Sequence, residues 1–451
     1  MTSGPMRITW RSAELRLLVP ILFAVPLGFA ITNIALTDTL DPGSMHLALG
    51  YVGLFVVAHL ALVLFGHRGD QLILPAVGAM GGIGLIMLNR LPQDLAGTSG
   101  FGVQLGMAET QLLWFGVGMV LMVAVAVGLR DYGVLRHYKY SWAAIGILLL
   151  AATLLLGYEV NGARLWIDLG PVSVQPGEPL KIVLVIFIAA YLAETRTLLT
   201  SATMRIGPVH FPPLPYFLPM LVLFGAVMLV VVRLNDLGTA LLFFGTFLTM
   251  LFVATGRRSY VLIGLILFVA GAFVAYRLFG HVQARVDIWV DPFADPLGRG
   301  FQPVRALYAL GRGGLFGEGL GQGLVMLGSG LTIPYVHTDF IFTAIAEELG
   351  LLGAFALLGF AAVLVFRGLR IATLAHEDFG ALLAVGLMTS LGLQALIIIG
   401  GNTKLIPLTG ITLPFVSYGG SSIVASFLMI GLLLAISHRG VTGEQEAPTR
   451  S

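Results

Sequence analysis

The chain has 451 residues, 57% of them hydrophobic and 11% charged, with a mean hydropathy of +0.94. Soluble domains carry about 25% charged residues, so a soluble fold is excluded: it would hold far more apolar surface than it could bury. The net charge of +2, spread over scattered Lys and Arg, leaves no nucleic-acid footprint, and the lack of cysteine excludes disulfides and thiolate metal sites.

Arg7, Arg11 and Arg16 precede an apolar run from Leu17 that contains Pro20, Pro26 and Asn33 but no A-x-A cleavage site, which reads as a retained signal anchor. A spanning helix needs ~20 mostly apolar residues. On that ruler the candidate spans are 17–36, 45–65, 72–88, 112–129, 141–156, 180–193, 214–232, 236–253, 260–279, 340–366, 380–400 and 423–436. About twelve spans result, so the expected fold is an all-α polytopic membrane protein. The polar tail HRGVTGEQEAPTRS is expected to be disordered.

Orientation follows from the Lys/Arg asymmetry. With a cytoplasmic N-terminus, the inner segments hold Arg68, Arg130, Arg136, Lys139, Arg196, Arg205, Arg257, Arg258, Arg367, Arg370, Arg439 and Arg450, while the first outer loop, TDTLDPGSM, holds none. The outer segment GYEVNGARLWIDLGPVSVQPGEPLK carries Arg164, Trp166 and Asp168 and runs into a span bearing Glu178 and Lys181. Those two lie three residues apart and can share a helix face, either as a functional pair or as an interfacial ion pair. Asp236, in RLNDLGT, reads as the N-cap of the next helix. Lys404, in GGNTKLIPLTG, stands just after a span as an interfacial anchor. The following ITLPFVSYGGSS, with Pro414, Ser417, Gly419 and Gly420, reads as a re-entrant or broken segment, tolerated at membrane depth only against protein or a wet cavity.

The longest break between apolar segments is 280–339, which falls outside and is rich in arginine against the topology bias: Arg285, Arg299, Arg305 and Arg312. An anionic substrate is one reason for such placement. In DPFADPLGRG, Pro292, Pro296, Gly298 and Gly300 favour a turn that presents Asp295 in a set direction, with Asp287 and Asp291 as alternatives. A carboxylate so placed can act as a general base, arginines can grip phosphates bidentately, and Trp289 and Phe293 can pack on sugar or lipid. The sequence contains neither GxxxxGK[ST] nor HExxH, so no nucleotide-driven engine or zinc-protease motif is present.

Several motifs in order resemble the SEDS (shape, elongation, division and sporulation) family: NGARLWIDLG at 161–170, QPGEPLK at 175–181, NDLGT at 235–239, DPFADPLGRGFQ at 291–302, GRGGLFGEGLG at 311–321, HTDFIFTAIAEELG at 337–350 and IPLTGITLPFVSYGGSS at 406–422. The resemblance implies a peptidoglycan glycosyltransferase that polymerises lipid II into β-1,4 glycan strands outside the bacterial cytoplasmic membrane, partnered by a class B penicillin-binding protein. It places the essential carboxylate on Asp295. It also places substrate contacts on Arg164, Glu178, Lys181, His337 and Asp339, and shaping roles on Glu347 and Glu348; the reading of the residues adds Trp166, Arg299 and Lys404 as candidate substrate contacts and Asp236, Pro414, Ser417, Gly419 and Gly420 as shaping residues. No cofactor is implied with certainty; a divalent cation, Mg2+ or Mn2+, is left open as a neutraliser of the pyrophosphate. The family core has ten spans, so 1–71 contributes two extra helices, 72–438 the core, 280–339 the catalytic loop and 439–451 the tail. QPGE stands where QPSE is usual, Asn235 stands where a proline is usual, and Lys404 stands where a small residue is expected. The balance leans towards RodA-like elongation. The rivals are a lipid II flippase and a non-enzymatic scaffold.

Overall fold

The computed structural model describes residues 11–446 apart from 92–104, 161–162, 171, 202–203, 207–208, 212–213, 325 and 328–329. The helices are α1 (Ser12–Thr37), α2 (Pro42–Leu64), α3 (Ile73–Asn89), α4 (Met107–Gly128), α5 (Val134–His137), α6 (Lys139–Leu156), α7 (Gly177–Ser201), α8 (Leu214–Arg233), α9 (Leu237–Thr255), α10 (Arg258–Leu278), α11 (Gly280–Val290), α12 (Phe301–Gly313), α13 (Ile341–Leu374), α14 (Asp378–Asn402) and α15 (Gly420–Glu446). Among the described residues eleven helices are long and apolar enough to cross a membrane, and α3, at 17 residues, is the short twelfth. Every span expected from hydropathy therefore meets one helix, and the two shortest estimates, 180–193 and 423–436, grow to 25 and 27 residues.

Local chemistry starts these helices where they start. Pro42 sits in the first turn of α2 beneath Asp41, whose carboxylate accepts from the backbone N–H of Gly43 and Ser44. Asp236 caps α9 in the same way, accepting from Thr239 N at 3.0 Å. Packing then sorts the spans. α7, α14 and α15 are buried over most of their length, whereas α10 buries only Tyr260 and leaves its apolar surface exposed for the lipid. α15 lies along α4, α13 along α14, and α1 and α2 cover α3 and α4.

Two expectations change. The 280–339 stretch is not an open loop: it carries α11, a 3-10 turn at Pro292–Ala294, α12 and a hairpin of β6 (Met326–Leu327) with β7 (Gly330–Leu331). Its apolar content is too low for a span, yet it is enough to pack short helices onto the bundle end. The tail also stays helical as far as Glu446, because α15 continues past His438; residues 447–451 lie outside the described residues.

The segments around Arg90, Gln175, 280–340 and 403–419 meet at one end of the bundle. Gln175 N donates to Ser421 Oγ at 3.1 Å, Arg285 to Thr409 O at 3.1 Å, and Tyr418 N to His337 O at 2.8 Å. The opposite end gathers basic side chains and pairs them, as in Arg196 with Asp378 at 2.6 Å and Arg439 with Asp131.

Candidate functional site

Asp295 lies in the turn between the 3-10 segment and α12, exposed to solvent. Its two carboxylate oxygens accept from Gly298 N (3.0 Å) and Arg299 N (2.9 Å), so the side chain has a set direction. The neighbouring glycines are required by space. A Cβ on Gly298 would stand 2.3 Å from Asp295 Oδ2, and one on Gly300 would stand 2.0 Å from Pro292 O. The proline and glycine pattern thus builds the turn expected of it.

Beside this turn, between α11, the start of α12 and the 401–410 segment, opens a cavity of about 360 Å³. Pro292 and Arg299 of the Asp295 turn form part of its wall, while Asp295 itself stands one hydrogen bond away, through Arg299 N. Arg285, Trp289, Asp339, Asn402 and Lys404 line the rest, with Gln302, Tyr335 and apolar side chains between them. α11 is clamped to the far wall. Arg285 donates to Leu408 O (3.3 Å) and Thr409 O (3.1 Å), Trp289 Nε1 to Lys404 O (3.0 Å), and Lys404 Nζ to Val290 O (3.3 Å). Lys404 adopts φ 62°, the left-handed region, which turns the chain sharply after α14.

Burial sets the electrostatics here. Desolvation raises the Asp339 carboxyl to about 6, partly offset by its hydrogen bond with Thr338 and by Arg285. Desolvation also lowers the His337 imidazole, keeping it neutral, and lowers Arg285, which Asp236 and Asp339 partly restore.

The other residues singled out in the sequence separate into three groups. Glu178 and Lys181 form a buried pair at 2.6 Å, and Lys181 also donates to Gln394 Oε1 at 2.7 Å. Gln394 Nε2 in turn donates to Thr412 O at 2.8 Å, so the pair supports the broken segment rather than lining the cavity. That segment is irregular from 403 to 419. Ser417, buried, donates to Thr338 O at 2.6 Å and accepts from Leu413 N at 2.8 Å, and a Cβ on Gly420 would collide with Trp114. Pro414 and Gly419 lie within it, and Gly419 N approaches Gln111 Oε1 at 3.3 Å. It thereby holds the chain of His337 and Asp339 in place.

Glu347 and Glu348 form the second group. Glu347 accepts from Arg312 (2.7 Å) and Leu324 N (3.0 Å); Glu348 accepts from Gly321 N (2.9 Å) and pairs with Arg90. The helix breaks at Gly350, φ 65°, which frees the carbonyls of Glu347 and Glu348 to accept from Glu318 N and Gly319 N. The glycine-rich 311–321 run exists for this close approach, since a Cβ on Gly317 would lie 2.2 Å from Glu348 O.

The third group is not brought to the cavity. Arg164 and Trp166 lie on β2 (Ala163–Asp168), which pairs with β1 (Tyr158–Val160) and β3 (Ser173–Val174). Arg164 is exposed and approaches Glu159 at 3.8 Å. Asn402, Gln302, Tyr335 and Gln394 carry no functional assignment from the sequence, and Arg285 no role of its own. Gln394, alone in LGLQALIIIGG, carried a signal, because a polar residue inside a span needs a partner. Among the described residues no three His, Asp or Glu side chains converge to hold a metal ion.

A family model described as "Cell cycle protein", covering FtsW, RodA and SpoVE, matches residues 70–441. "Peptidoglycan glycosyltransferase RodA" of Mycobacterium tuberculosis (strain ATCC 25618 / H37Rv) is 41% identical over 436 residues, 95% of this chain and 91% of that protein. "Stage V sporulation protein E" of Bacillus subtilis (strain 168) is 38% identical over 337 residues, 73% of this chain and 86% of its own. Among solved structures, one described as "Structural coordination of polymerization and crosslinking by a peptidoglycan synthase complex" has a TM-score of 0.62 at 28% identity, covering 82% of this chain and 98% of the other. The rod shape determining protein RodA of Thermus thermophilus has a TM-score of 0.57 at 28% identity, covering 82% and 97%.

Proposed function

Because this chain belongs to the FtsW/RodA/SpoVE family of membrane proteins and is a peptidoglycan glycosyltransferase akin to RodA, we propose that it polymerises lipid II at the cavity beside the Asp295 turn. The acceptor sugar's 4-hydroxyl attacks the donor's anomeric carbon. The bond from that carbon to the pyrophosphate oxygen breaks, its electron pair leaves on undecaprenyl pyrophosphate, and the hydroxyl proton passes to the Asp295 carboxylate. An α-linked donor then yields a β-1,4 product by a single inverting displacement.

The observation that carries this reading is the pairing of an oriented carboxylate with a cationic cavity mouth. Arg299 and Lys404 both face the cavity and are exposed at its rim, where a pyrophosphate leaving group can be neutralised. Arg164 and Trp166 stand outside it and can touch only those parts of a long lipid-linked substrate that leave the cavity. Glu178 and Lys181 act through Gln394 and the 412–422 segment. The step as written needs no protein-held metal; Mg2+ or Mn2+ would be held chiefly by the pyrophosphate, with one carboxylate.

The same reading puts the protein in the bacterial cytoplasmic membrane with both termini inside and the cavity outside, as the Lys/Arg asymmetry favours. It gives the enzyme an elongation role and a crosslinking class B penicillin-binding protein as partner. The relatives' glycosyltransferase names favour an enzyme over a flippase or scaffold.

The test is polymerisation of labelled lipid II by purified protein, with its partner if required, read as product length on a gel. Asp295→Ala is expected to lower the rate by about 10²–10⁴-fold, the usual contribution of a general base, while leaving the thermal melt unchanged. Strand synthesis at the wild-type rate by the folded variant sinks the assignment.

A further inference from the structure

The cavity is not uniform in charge. Arg299, Lys404 and Tyr335 are exposed at its mouth, whereas Asn402 is buried and Arg285 and Asp339 are largely covered. Among the described residues Asp339 is the one carboxylate in the lining. The mouth therefore carries two cations, with Asp295 in the adjoining turn, while deeper in the lining a carboxylate and a guanidinium offset each other.

Arg285 and Asp339 line the same cavity without closing into an ion pair. No nitrogen-to-oxygen contact within 4.0 Å joins them among the described residues, although each feels the other's charge. Each is held in place independently. Arg285 is anchored by the carbonyls of Leu408 and Thr409. The Asp339 backbone carbonyl accepts from Asn402 Nδ2 at 2.8 Å, and Asn402 Oδ1 is in turn fixed by Thr343 at 2.7 Å. Gly410, φ 73°, lies beside the carboxylate, where an added Cβ would come into ordinary van der Waals contact with Asp339 Oδ2 at 3.7 Å.

Resting on the glycosyltransferase reading above, we propose that Arg285 and Asp339 form a split pair that seats an uncharged, hydroxyl-bearing sugar ring, with Asp339 accepting a hydroxyl hydrogen bond and Arg285 acting as its positioning residue. A phosphate fits poorly there: Asp339 repels it, and Asp236 lies within electrostatic range of the same arginine. A sugar fits well. Carboxylate and guanidinium offer the acceptor and donors that hydroxyl and acetamido groups need. Trp289, fixed by its bond to Lys404 O, and Tyr335 offer flat apolar faces for the C–H side of the ring. The phosphates then fall at the Arg299 and Lys404 mouth, so the cavity reads the substrate in two parts.

The charged and titratable groups around Asp339 are Arg285 on α11, His337 on its own segment, and Arg299 and Lys404 elsewhere in the lining; of these Arg285 is the one whose charge acts on the carboxyl, and Arg285 in turn feels Asp236. The carboxyl, raised to about 6, is ionised at neutral pH and loses its charge below that value. Affinity for substrate should then fall as pH drops through about 6. Removing Arg285 takes away the one neighbouring charge that lowers the value, so the limb should move to higher pH.

Binding is best measured without turnover, in the full-length Asp295→Ala protein, with fluorescent lipid II as probe across pH 5–8. Adding Asp339→Asn should weaken binding about tenfold or more at pH 7.5, as expected for loss of a hydrogen bond to a charged group, and should abolish the limb near 6. Arg285→Gln should move the limb upward, and Arg285→Lys should restore it in part. Unchanged affinity and an unchanged limb in Asp339→Asn overturn the proposal, as does an Arg285→Gln limb that stays in place. Should Asp339→Asn fail to fold, the position of the Arg285→Gln limb decides. Failure of the polymerase reading is separate: it appears as no polymer from the folded, partnered wild-type protein, whatever the binding data show.

Discussion

At the scale of single residues, Asp295 shows why a turn rather than a helix carries the carboxylate. Both oxygens are taken by backbone N–H groups of the same turn, so its direction depends on Gly298 and Gly300 having no side chain. Gly298→Ala puts a Cβ 2.3 Å from Asp295 Oδ2 and must push the carboxylate aside. Polymerisation kcat is expected to fall at least about tenfold with little change in melting temperature, since sub-ångström misplacement of a reacting group is costly. Steady-state kinetics beside a thermal melt check this. Lys181 poses a different problem. It is buried, and Glu178 lies 2.6 Å away. Lys181→Met leaves Glu178 as an unpaired buried charge and should destabilise the protein by about 3–5 kcal/mol, whereas the double variant with Glu178→Gln should recover most of that loss. Thermal or denaturant unfolding in detergent would show whether the second substitution rescues the first.

At the scale of elements, α12 is the part that ties chemistry to scaffold. Its N-terminus leaves the Asp295 turn, and near its C-terminus Arg312 meets Glu347 of α13. The glycine-rich run after it is locked to the break in α13, where Gly350 has φ 65° and a Cβ would stand 2.3 Å from Gly317 N. Gly350→Ala is therefore strained twice, in its own backbone and against the neighbouring chain. A loss of at least about 1–3 kcal/mol is expected from the backbone strain alone. Limited proteolysis within 311–331 should become faster than in wild type, because the hydrogen bonds from Glu318 N and Gly319 N would be lost with the kink. Proteolysis at the wild-type rate would mean that the run is held by something other than the α13 break.

At the scale of the whole molecule, α1 and α2 add mass outside the family model, which begins at residue 70. They are nonetheless joined to the core by buried polar bonds. Arg11 donates to His67 O (2.9 Å), Gly69 O (3.1 Å) and Asp70 O (2.8 Å) and pairs with Glu14, while His59 meets Glu14 at 2.7 Å. The M. tuberculosis relative matches over 436 residues, too many to omit both helices. Their contacts lie mainly on α3 and α4, with Thr32 and Ala35 of α1 against Gly321, and not on the cavity walls. Arg11→Met leaves Glu14 with His59 alone and takes the donor from the carbonyls of His67, Gly69 and Asp70, and is thus expected to cost about 1–3 kcal/mol, with polymerisation per folded molecule unchanged. A melt and an activity assay on the same preparation would separate the two effects.

Much was legible in the sequence because membrane solvation acts on short stretches: some twenty apolar residues must become a helix whatever their neighbours do. The twelve spans, the Asp236 cap, the broken 403–419 segment and the Asp295 turn all follow from such local rules of length, capping and proline–glycine chemistry. The helices α11 and α12 within 280–339 were not legible, since they are too polar to span and too short to stand alone, and they exist only by packing on the bundle end. Which charges converge was equally beyond local reading. Arg164 and Arg285 look alike in sequence, yet one ends exposed on a hairpin and the other beside Asp339 at the back of the cavity. Sequence by itself determined the helices and the turn chemistry, because each depends on residues a few positions apart. Only the tertiary structure decided the cavity, because its walls come from segments more than a hundred residues apart along the chain, whose meeting depends on how the spans pack.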